Sequence, residues 1–115
     1  MNLDKYLPLT ETTLYILLSL NEPGHGYIVM QKVEELSNGK VRTAAGTMYG
    51  ALENLTKQNL ISILDVGDKR RKVYQITELG KMVLQQETNR LAHIVGVAQK
   101  YGYKISKEVI INNEN

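Results

Sequence analysis

Four consecutive cationic side chains, Lys69, Arg70, Arg71 and Lys72, are the most chemically distinctive group in this sequence. They lie between two short segments rich in β-branched and apolar residues, so we expect them at the tip of a β-hairpin. Ammonium and guanidinium groups bind phosphate oxygens, and adjacent cations repel one another unless an anion lies nearby. A hairpin tip that is merely solvated is the alternative explanation. It gives no reason to keep four cations together, so the run favours phosphate contact.

A second polar group precedes this run on a helix predicted over about 44 to 58. Met48, Leu52 and Leu55 recur at i, i+4 and i+7, so they form the buried stripe of that helix. The remaining faces present small or polar side chains, namely Thr47, Gly50, Glu53, Asn54 and Lys57. A helix followed by a cationic hairpin is how a small domain binds duplex DNA. The helix enters the major groove, and the hairpin reaches the phosphates.

Gly50 has two explanations. Glycine in a helix interior costs about 1 kcal/mol relative to alanine. Either another backbone, from protein or from DNA, approaches the helix closely at this point, or the glycine is a tolerated defect.

The elements around these residues have recognisable ends. Thr10 is the expected N-cap of a first helix, which stops at residues 21–24, where proline and glycine follow each other. A second helix opens at residues 25–27, and residues 37–39 end it in the manner of a C-terminal cap. Thr43 is the expected N-cap of the third helix. Strands are predicted over 61–66 and 73–76, with Tyr74 and Ile76 on one face of the second strand.

The last predicted helix begins at its cap, Thr77, and runs to about residue 101. Its apolar residues follow a heptad spacing, and about 25 helical residues present more apolar surface than so small a core covers. The first helix folding back over this surface is the intramolecular alternative. We favour a homodimer. Its predicted interface comprises Leu84, Leu91, Ile94, Val95, Ala98 and Tyr101.

Composition narrows the function class. The chain has 115 residues, which predicts one domain, and a net charge of +2 that is weak support for nucleic-acid binding by itself. It has no cysteine, so disulfides and thiolate metal sites are excluded and a cytoplasmic location is expected. No secretory signal or membrane span is apparent, so we expect no membrane partner. His25 and His93 lie on distant elements, and no catalytic or metal-ligand spacing is present. We therefore expect no enzyme activity, cofactor or metal.

Four groups of residues together resemble the PadR-type winged-helix transcriptional regulators, in the short form with a single C-terminal helix. They are Thr13-Leu14 running into Leu17-Leu18, His25-Gly26-Tyr27, Gly46-Thr47-Met48-Tyr49 continuing to Leu60-Ile61, and Arg71-Lys72-Val73-Tyr74 before Ile76-Thr77-Glu78-Leu79-Gly80. The resemblance spans about 13 to 80. It implies an α+β, mainly α fold: a winged helix-turn-helix with a long C-terminal dimerisation helix. We assign residues 1–76 to the winged-helix DNA-binding domain, 77–103 to the dimerisation helix of the same compact unit, and 104–115 to a loose tail.

In that family the third helix enters the major groove, the hairpin is the wing, and the last helix dimerises. The resemblance therefore implies that Thr47 and Tyr49 meet DNA, although packing is an equal alternative for Tyr49. We expect Tyr27 and Tyr74 in the core. The sequence departs from the family at Gly50, where proline is common, and at Ala44, where a polar cap is common. The full predicted DNA-binding set is Thr47, Tyr49, Gly50, Asn54, Lys57, Lys69, Arg70, Arg71, Lys72, Lys40 and Arg42.

These observations predict a dimeric regulator that binds double-stranded DNA and represses transcription at an inverted-repeat operator. The alternative is a winged-helix module that mediates protein–protein contact without binding DNA. A small-molecule effector is compatible with either hypothesis.

Overall fold

The computed structural model describes residues 2–65, 67 and 71–109, which form four α-helices and one small antiparallel sheet. The helices are α1 (Glu11–Ser19), α2 (Gly26–Leu36), α3 (Ala45–Lys57) and α4 (Glu78–Lys100). The strands are β1 (Gly24–His25), β2 (Ile61–Leu64) and β3 (Val73–Ile76), in the sheet order β1-β3-β2. A 3-10 helix, Asp4–Tyr6, precedes α1. This architecture confirms the predicted α+β, mainly helical winged helix-turn-helix with a long C-terminal helix.

Side-chain caps begin α1 and α4 as predicted. The Thr10 hydroxyl accepts a hydrogen bond from the Thr13 N–H at 3.1 Å, and the Thr77 hydroxyl accepts one from the Gly80 N–H at 3.0 Å. The prediction of Thr43 as the cap of α3 was wrong, because the N-cap position is Ala44. Alanine has no side-chain oxygen, so α3 begins without a side-chain cap bond.

The C-terminus of α2 is closed by a glycine cap, as predicted for residues 37–39. Gly39 has φ +79°, in the left-handed region, and its N–H donates to the carbonyl oxygen of Glu34 at 2.7 Å. The buried residues of α2 include Val29 and Val33, four residues apart, whereas Ile28 and Leu36 are exposed. The apolar residues of α2 at positions 28, 30, 33 and 36 therefore span more than the face that packs on the core.

One core lies between α1, α2, α3, the sheet and the first turns of α4. Met48, Leu52 and Leu55 of α3 are buried in it, as their spacing predicted. Strand β3 turns Tyr74 and Ile76 inward, also as predicted. Strand β2 pairs with it in an antiparallel register that sets Ile61 opposite Ile76. The strand predicted over 61–66 ends at residue 64, and residue 66 lies outside the described residues.

Helix α4 begins close against the residues that directly precede β2. The Thr77 N–H donates to the carbonyl oxygen of Leu60 at 3.1 Å, and the Thr77 hydroxyl donates to that of Asn59 at 2.7 Å. A Cβ added at Gly80 would collide with the Leu60 carbonyl and lie 2.7 Å from Cγ1 of Ile76. Only glycine therefore permits this approach, which fixes the direction in which α4 leaves the domain.

The two halves of α4 have different surroundings. Val83, Leu84 and Glu87 are buried, whereas Leu91, Ile94 and the other residues after Arg90 are not. The helix has 23 residues, so it is about 35 Å long and reaches beyond the core. The assignment of Leu84 to a dimer interface was wrong, because its side chain is 7% exposed and packs in the core of its own chain.

The described helices include none with the length and hydropathy that a membrane crossing requires.

A buried carboxylate joins the N-terminal segment to α4. Glu87 is 1% exposed, accepts a hydrogen bond from the Leu9 N–H at 2.7 Å, and pairs with the guanidinium of Arg90. The Arg90 hydrogen bond, assisted by the Leu9 N–H, lowers the pKa of Glu87 below its ordinary value, although burial opposes this. The charged form of Glu87 therefore stabilises the fold.

We expect Glu87→Gln to lower the free energy of unfolding by roughly 1–3 kcal/mol at neutral pH, since the amide keeps the shape but loses the charge. Because the pKa is lower in the folded chain, this contribution is present above the ordinary glutamate value of 4.5. It is lost as the pH falls through the folded value. Urea titrations at pH 7 and pH 4 measure the difference between variant and parent.

Glu78→Gln is the matched control for that experiment, because Glu78 lies on the same helix with its side chain 89% exposed. Its effect should stay within about 0.5 kcal/mol at both pH values. A Glu87→Gln penalty that is equally small, or that does not shrink in acid, would contradict the role assigned to the buried carboxylate.

Candidate nucleic-acid interface

A groove of about 1080 Å³ lies between α3, the start of α2 and the β2–β3 hairpin. We call it the wing groove. It brings together four members of the predicted DNA-binding set that are distant in sequence, Tyr49, Lys57, Arg71 and Lys72. Its other lining residues are His25, Gly26, Tyr27, Ile28, Glu53, Thr56, Ile63 and Tyr74.

The outer face of α3 adjoins the wing groove and is exposed. Thr47, Gly50 and Asn54 lie on this face, away from the buried stripe of the same helix. Gly50 and Lys57, seven residues apart, point most directly away from the core. The helix therefore presents a continuous surface of small and polar groups, of the kind that fits against base edges in a major groove.

The cations around this surface differ in their local partners. Lys57 Nζ lies 3.3 Å from a carboxylate oxygen of Glu53, and Arg42 Nε lies 2.8 Å from one of Glu34. All four side chains are well exposed, so each pair contributes at most about 1 kcal/mol and can exchange for a phosphate contact. Lys40 is exposed close to the start of α3.

Two cations of the hairpin are placed by the structure. Arg71 and Lys72 are exposed and line the wing groove immediately before β3. The predicted phosphate contacts Lys69 and Arg70 lie outside the described residues. Within the described residues, the predicted phosphate-binding tip therefore consists of its C-terminal half, Arg71 and Lys72. This half faces the same groove as α3.

Tyr49 combines packing with exposure. Its ring is 48% exposed, and its inner edge lies on Gly26, the first residue of α2. A Cβ added at Gly26 would lie 2.8 Å from the Tyr49 hydroxyl oxygen and 2.7 Å from Cζ, both too close for a real contact. The glycine of the His25-Gly26-Tyr27 motif thus allows α2 and α3 to approach each other where the ring is seated.

We expect Gly26→Ala to displace the Tyr49 ring and to lower the free energy of unfolding by about 1 kcal/mol, the low end for overpacking, because a half-exposed ring can move. Adding Tyr49→Ala should remove that penalty, and a double-mutant cycle in urea measures the coupling. Gly46→Ala is the control, since a Cβ there meets nothing within 4 Å. Equal penalties for Gly26→Ala with and without the tyrosine would show that the contact is not the cause.

The remaining aromatic residues of the wing groove divide between core and surface. Tyr74 is 5% exposed, and its burial raises the pKa of its hydroxyl, with smaller contributions from nearby Tyr49 and Glu53. The prediction that Tyr27 is a core residue was wrong, because it is 62% exposed on the first turn of α2. That turn faces the wing groove, so the aromatic ring of Tyr27 lies at the edge of the groove and not in the core.

Four exposed lining residues lie outside the predicted DNA-binding set: Tyr27, Ile28, Glu53 and Ile63. They come from three different elements, and only Glu53 shares a helix with predicted contacts. Its position four residues after Tyr49 and four before Lys57 was a usable signal, because residues at that spacing share a helix face. His25 occupies the N-cap position of α2, but its side chain makes no capping hydrogen bond.

Comparisons with known proteins identify the family of the chain and agree with its fold. The family described as transcriptional regulator PadR-like matches residues 7–86, more than half of the chain. A PadR family transcription regulator from Clostridium difficile R20291 superposes with a TM-score of 0.66 at 25% identity, covering 80% of this chain and 98% of that one. A PadR family regulator from Eggerthella lenta gives a TM-score of 0.61 at 24% identity, covering 80% and 82%. Protein X of Lysinibacillus sphaericus is 28% identical over 85 residues, covering 71% of this chain and 78% of that protein.

Proposed function

Because the chain belongs to the PadR-like family of transcriptional regulators, we propose that it is a homodimeric repressor that binds an inverted-repeat operator in double-stranded DNA. Families of this kind are generally not enzymes. The observation that carries the proposal is the exposed polar face of α3 beside a groove whose rim holds Lys57, Arg71 and Lys72. A helix and a cationic hairpin are thus presented on the same side of the domain.

The dimensions of α3 suit a major groove. An α-helix with its side chains is about 10–12 Å across, and the major groove of B-DNA is about 12 Å wide. With α3 inserted, Thr47 and Asn54 face the base edges, and the asparagine amide can pair with N6 and N7 of adenine. Arg71 and Lys72 then reach the adjacent phosphates, where they contribute affinity that does not depend on sequence.

The exposed end of α4 supports the dimer. Leu91, Ile94, Val95 and Ala98 form a stripe along the helix, and Tyr101 continues it at the C-cap. Leu91, Ile94 and Val95 are 36%, 49% and 41% exposed in the single chain, which is unusual for a contiguous apolar row. A two-fold axis through this stripe gives two copies of α3, which address half-sites about 34 Å apart.

Regulation follows from occupancy of the operator in the cytoplasm, where a bound dimer blocks transcription. A small-molecule effector would act by changing the spacing of the two α3 helices.

The division into residues 1–76, 77–103 and 104–115 remains a prediction, with residues 110–115 outside the described part of the chain.

Selection of bound sequences from random duplexes, followed by fluorescence anisotropy on the selected site, tests the proposal. We expect an inverted repeat whose half-sites are one DNA turn apart and an affinity that is much higher than for unrelated duplex. Failure to bind any duplex, together with no retention on heparin at low salt, would favour the protein–protein interaction module instead.

A further inference from the structure

The interior glycine of α3 is not explained by packing. A Cβ added at Gly50 meets nothing within 4 Å in the described part of the chain, and the residue is exposed. Glycine weakens a helix interior relative to alanine, so the position carries an energetic cost without an intramolecular reason. What the missing side chain does provide is an open notch on the face of α3 that points away from the core.

Two polar side chains border that notch. Glu53 and Asn54 follow Gly50 by three and four residues, and helical side chains lean toward the N-terminus. Both therefore flank the position of Gly50 one turn away, without coming within 4 Å of a Cβ placed there. They lie on opposite sides of the line that joins Gly50 to Lys57, so a base edge that enters the notch meets a carboxylate on one side and an amide on the other.

Glu53 is the acidic residue of the wing groove. Of the described residues that line the wing groove, it alone carries a carboxylate. Its side chain is 71% exposed, so it is free to face a ligand. A carboxylate beside a polyanion is repelled by the phosphates unless it accepts a hydrogen bond from a base.

The major groove offers one base that suits a carboxylate. Cytosine presents its N4 amino group as a donor, whereas adenine places the acceptor N7 beside its N6 amino group. An ionised carboxylate only accepts hydrogen bonds, so it cannot satisfy N7 and is repelled by it. Lys57, 3.3 Å from Glu53 Oε1, can turn to a phosphate once the base replaces it.

We propose that Glu53 is a specificity-determining residue that accepts a hydrogen bond from N4 of a cytosine in each half-site, through the notch left by Gly50. This inference rests on the proposed function and identifies one base of its operator. It assigns a role in base selection to a residue whose charge would otherwise oppose DNA binding.

Random-duplex selection with the parent, Glu53→Ala and Glu53→Gln tests the inference. The parent should require cytosine at one position of each half-site, with a discrimination of roughly 5- to 150-fold, the range for one specific base contact. Glu53→Ala should lose that preference. Glu53→Gln should move it toward adenine, because an amide both accepts from N6 and donates to N7. Glu35→Ala, which removes an exposed glutamate of α2, should leave the selected sequence unchanged.

The notch is tested separately with Gly50→Ala. The added methyl should raise the midpoint of thermal unfolding, since alanine favours a helix, yet weaken binding to the selected site about fivefold or more. Binding to unrelated duplex should not change. If Gly50→Ala is more stable and binds the selected site as well as the parent does, the proposed role of the notch in DNA binding is wrong.

The outcomes separate this inference from the function on which it rests. If Glu53→Ala still selects the same cytosine, the inference fails while the DNA-binding function stands. If the parent binds no duplex at all, both fail.

Discussion

Replacing Arg71 and Lys72 with alanine is expected to weaken binding to every duplex sequence alike, without changing which sequence is preferred. Both side chains are exposed on the hairpin side of the wing groove. In the proposed complex, with α3 in the major groove, the DNA backbone passes this side of the groove. Contacts to phosphate carry no base information, so their loss lowers specific and unrelated binding by similar factors.

Salt dependence gives the magnitude of this effect. If a parent dimer makes about 6–10 phosphate contacts, its affinity should fall roughly 10³- to 10⁵-fold between 50 and 200 mM salt. The double variant removes four cations from a dimer. A plot of log affinity against log salt should then become shallower by about 3.6, or about 0.9 for each lost contact. Adding Lys69→Ala and Arg70→Ala should flatten it further if all four cations of the run contact phosphate.

The control for this experiment is Lys104→Ala combined with Lys107→Ala. Both lysines are exposed and follow the C-terminal end of α4, so the change in charge is the same but occurs far from the hairpin. Its salt slope should equal that of the parent. A hairpin variant with the parental slope would mean that Arg71 and Lys72 do not contact phosphate. If the hairpin variant preferred a different DNA sequence from the parent, Arg71 or Lys72 would contact bases and not only phosphates.

Local sequence signals predicted the elements of this fold well. The spacing of Met48, Leu52 and Leu55 fixed the buried face of α3, and Thr10 and Thr77 marked two helix starts because a side-chain oxygen caps the next N–H groups. Each of these features depends on residues within one or two helical turns. The one cap that failed, Thr43, differs from the true position by a single residue.

Features that depend on long-range packing could not be predicted in the same way. The contact between Gly26 and Tyr49 joins two helices, and the bond from Leu9 to Glu87 spans 78 residues. Leu84 shows the consequence: it fits the heptad of α4 as well as Leu91 does, yet the core of the chain covers it. Periodicity identifies an apolar face, but only the packed structure shows where the intramolecular core ends and an available surface begins.

Ile94→Glu is expected to convert the protein to a monomer and to reduce its affinity for the inverted repeat by roughly 10²- to 10⁴-fold. Ile94 lies within the exposed stripe and is 49% exposed, so the charge is solvated in a single chain but buried in a two-fold interface. The loss in affinity reflects the loss of effective concentration when one half-site no longer holds the second α3 nearby.

The monomer should still fold, because no side chain after Arg90 is buried in the described part of α4. Val97→Glu is the matched control: Val97 is 43% exposed on the same helix but lies about 100° from the centre of the stripe. Sedimentation equilibrium measures the oligomeric state, and anisotropy on one half-site and on the full repeat measures binding. We expect Val97→Glu to remain dimeric, and Ile94→Glu to bind both duplexes with nearly the same weak affinity.

The comparison of the two duplexes also separates dimerisation from DNA contact. A variant that is monomeric but keeps the parental affinity for the full repeat would mean that one chain recognises the operator alone. A variant that stays dimeric would place the interface on another surface of the chain. Loss of half-site binding as well would point to damage in α3, which lies outside the stripe and should be unaffected. The prediction therefore requires two results together: Ile94→Glu is a monomer in solution, and it still binds a duplex that contains one half-site.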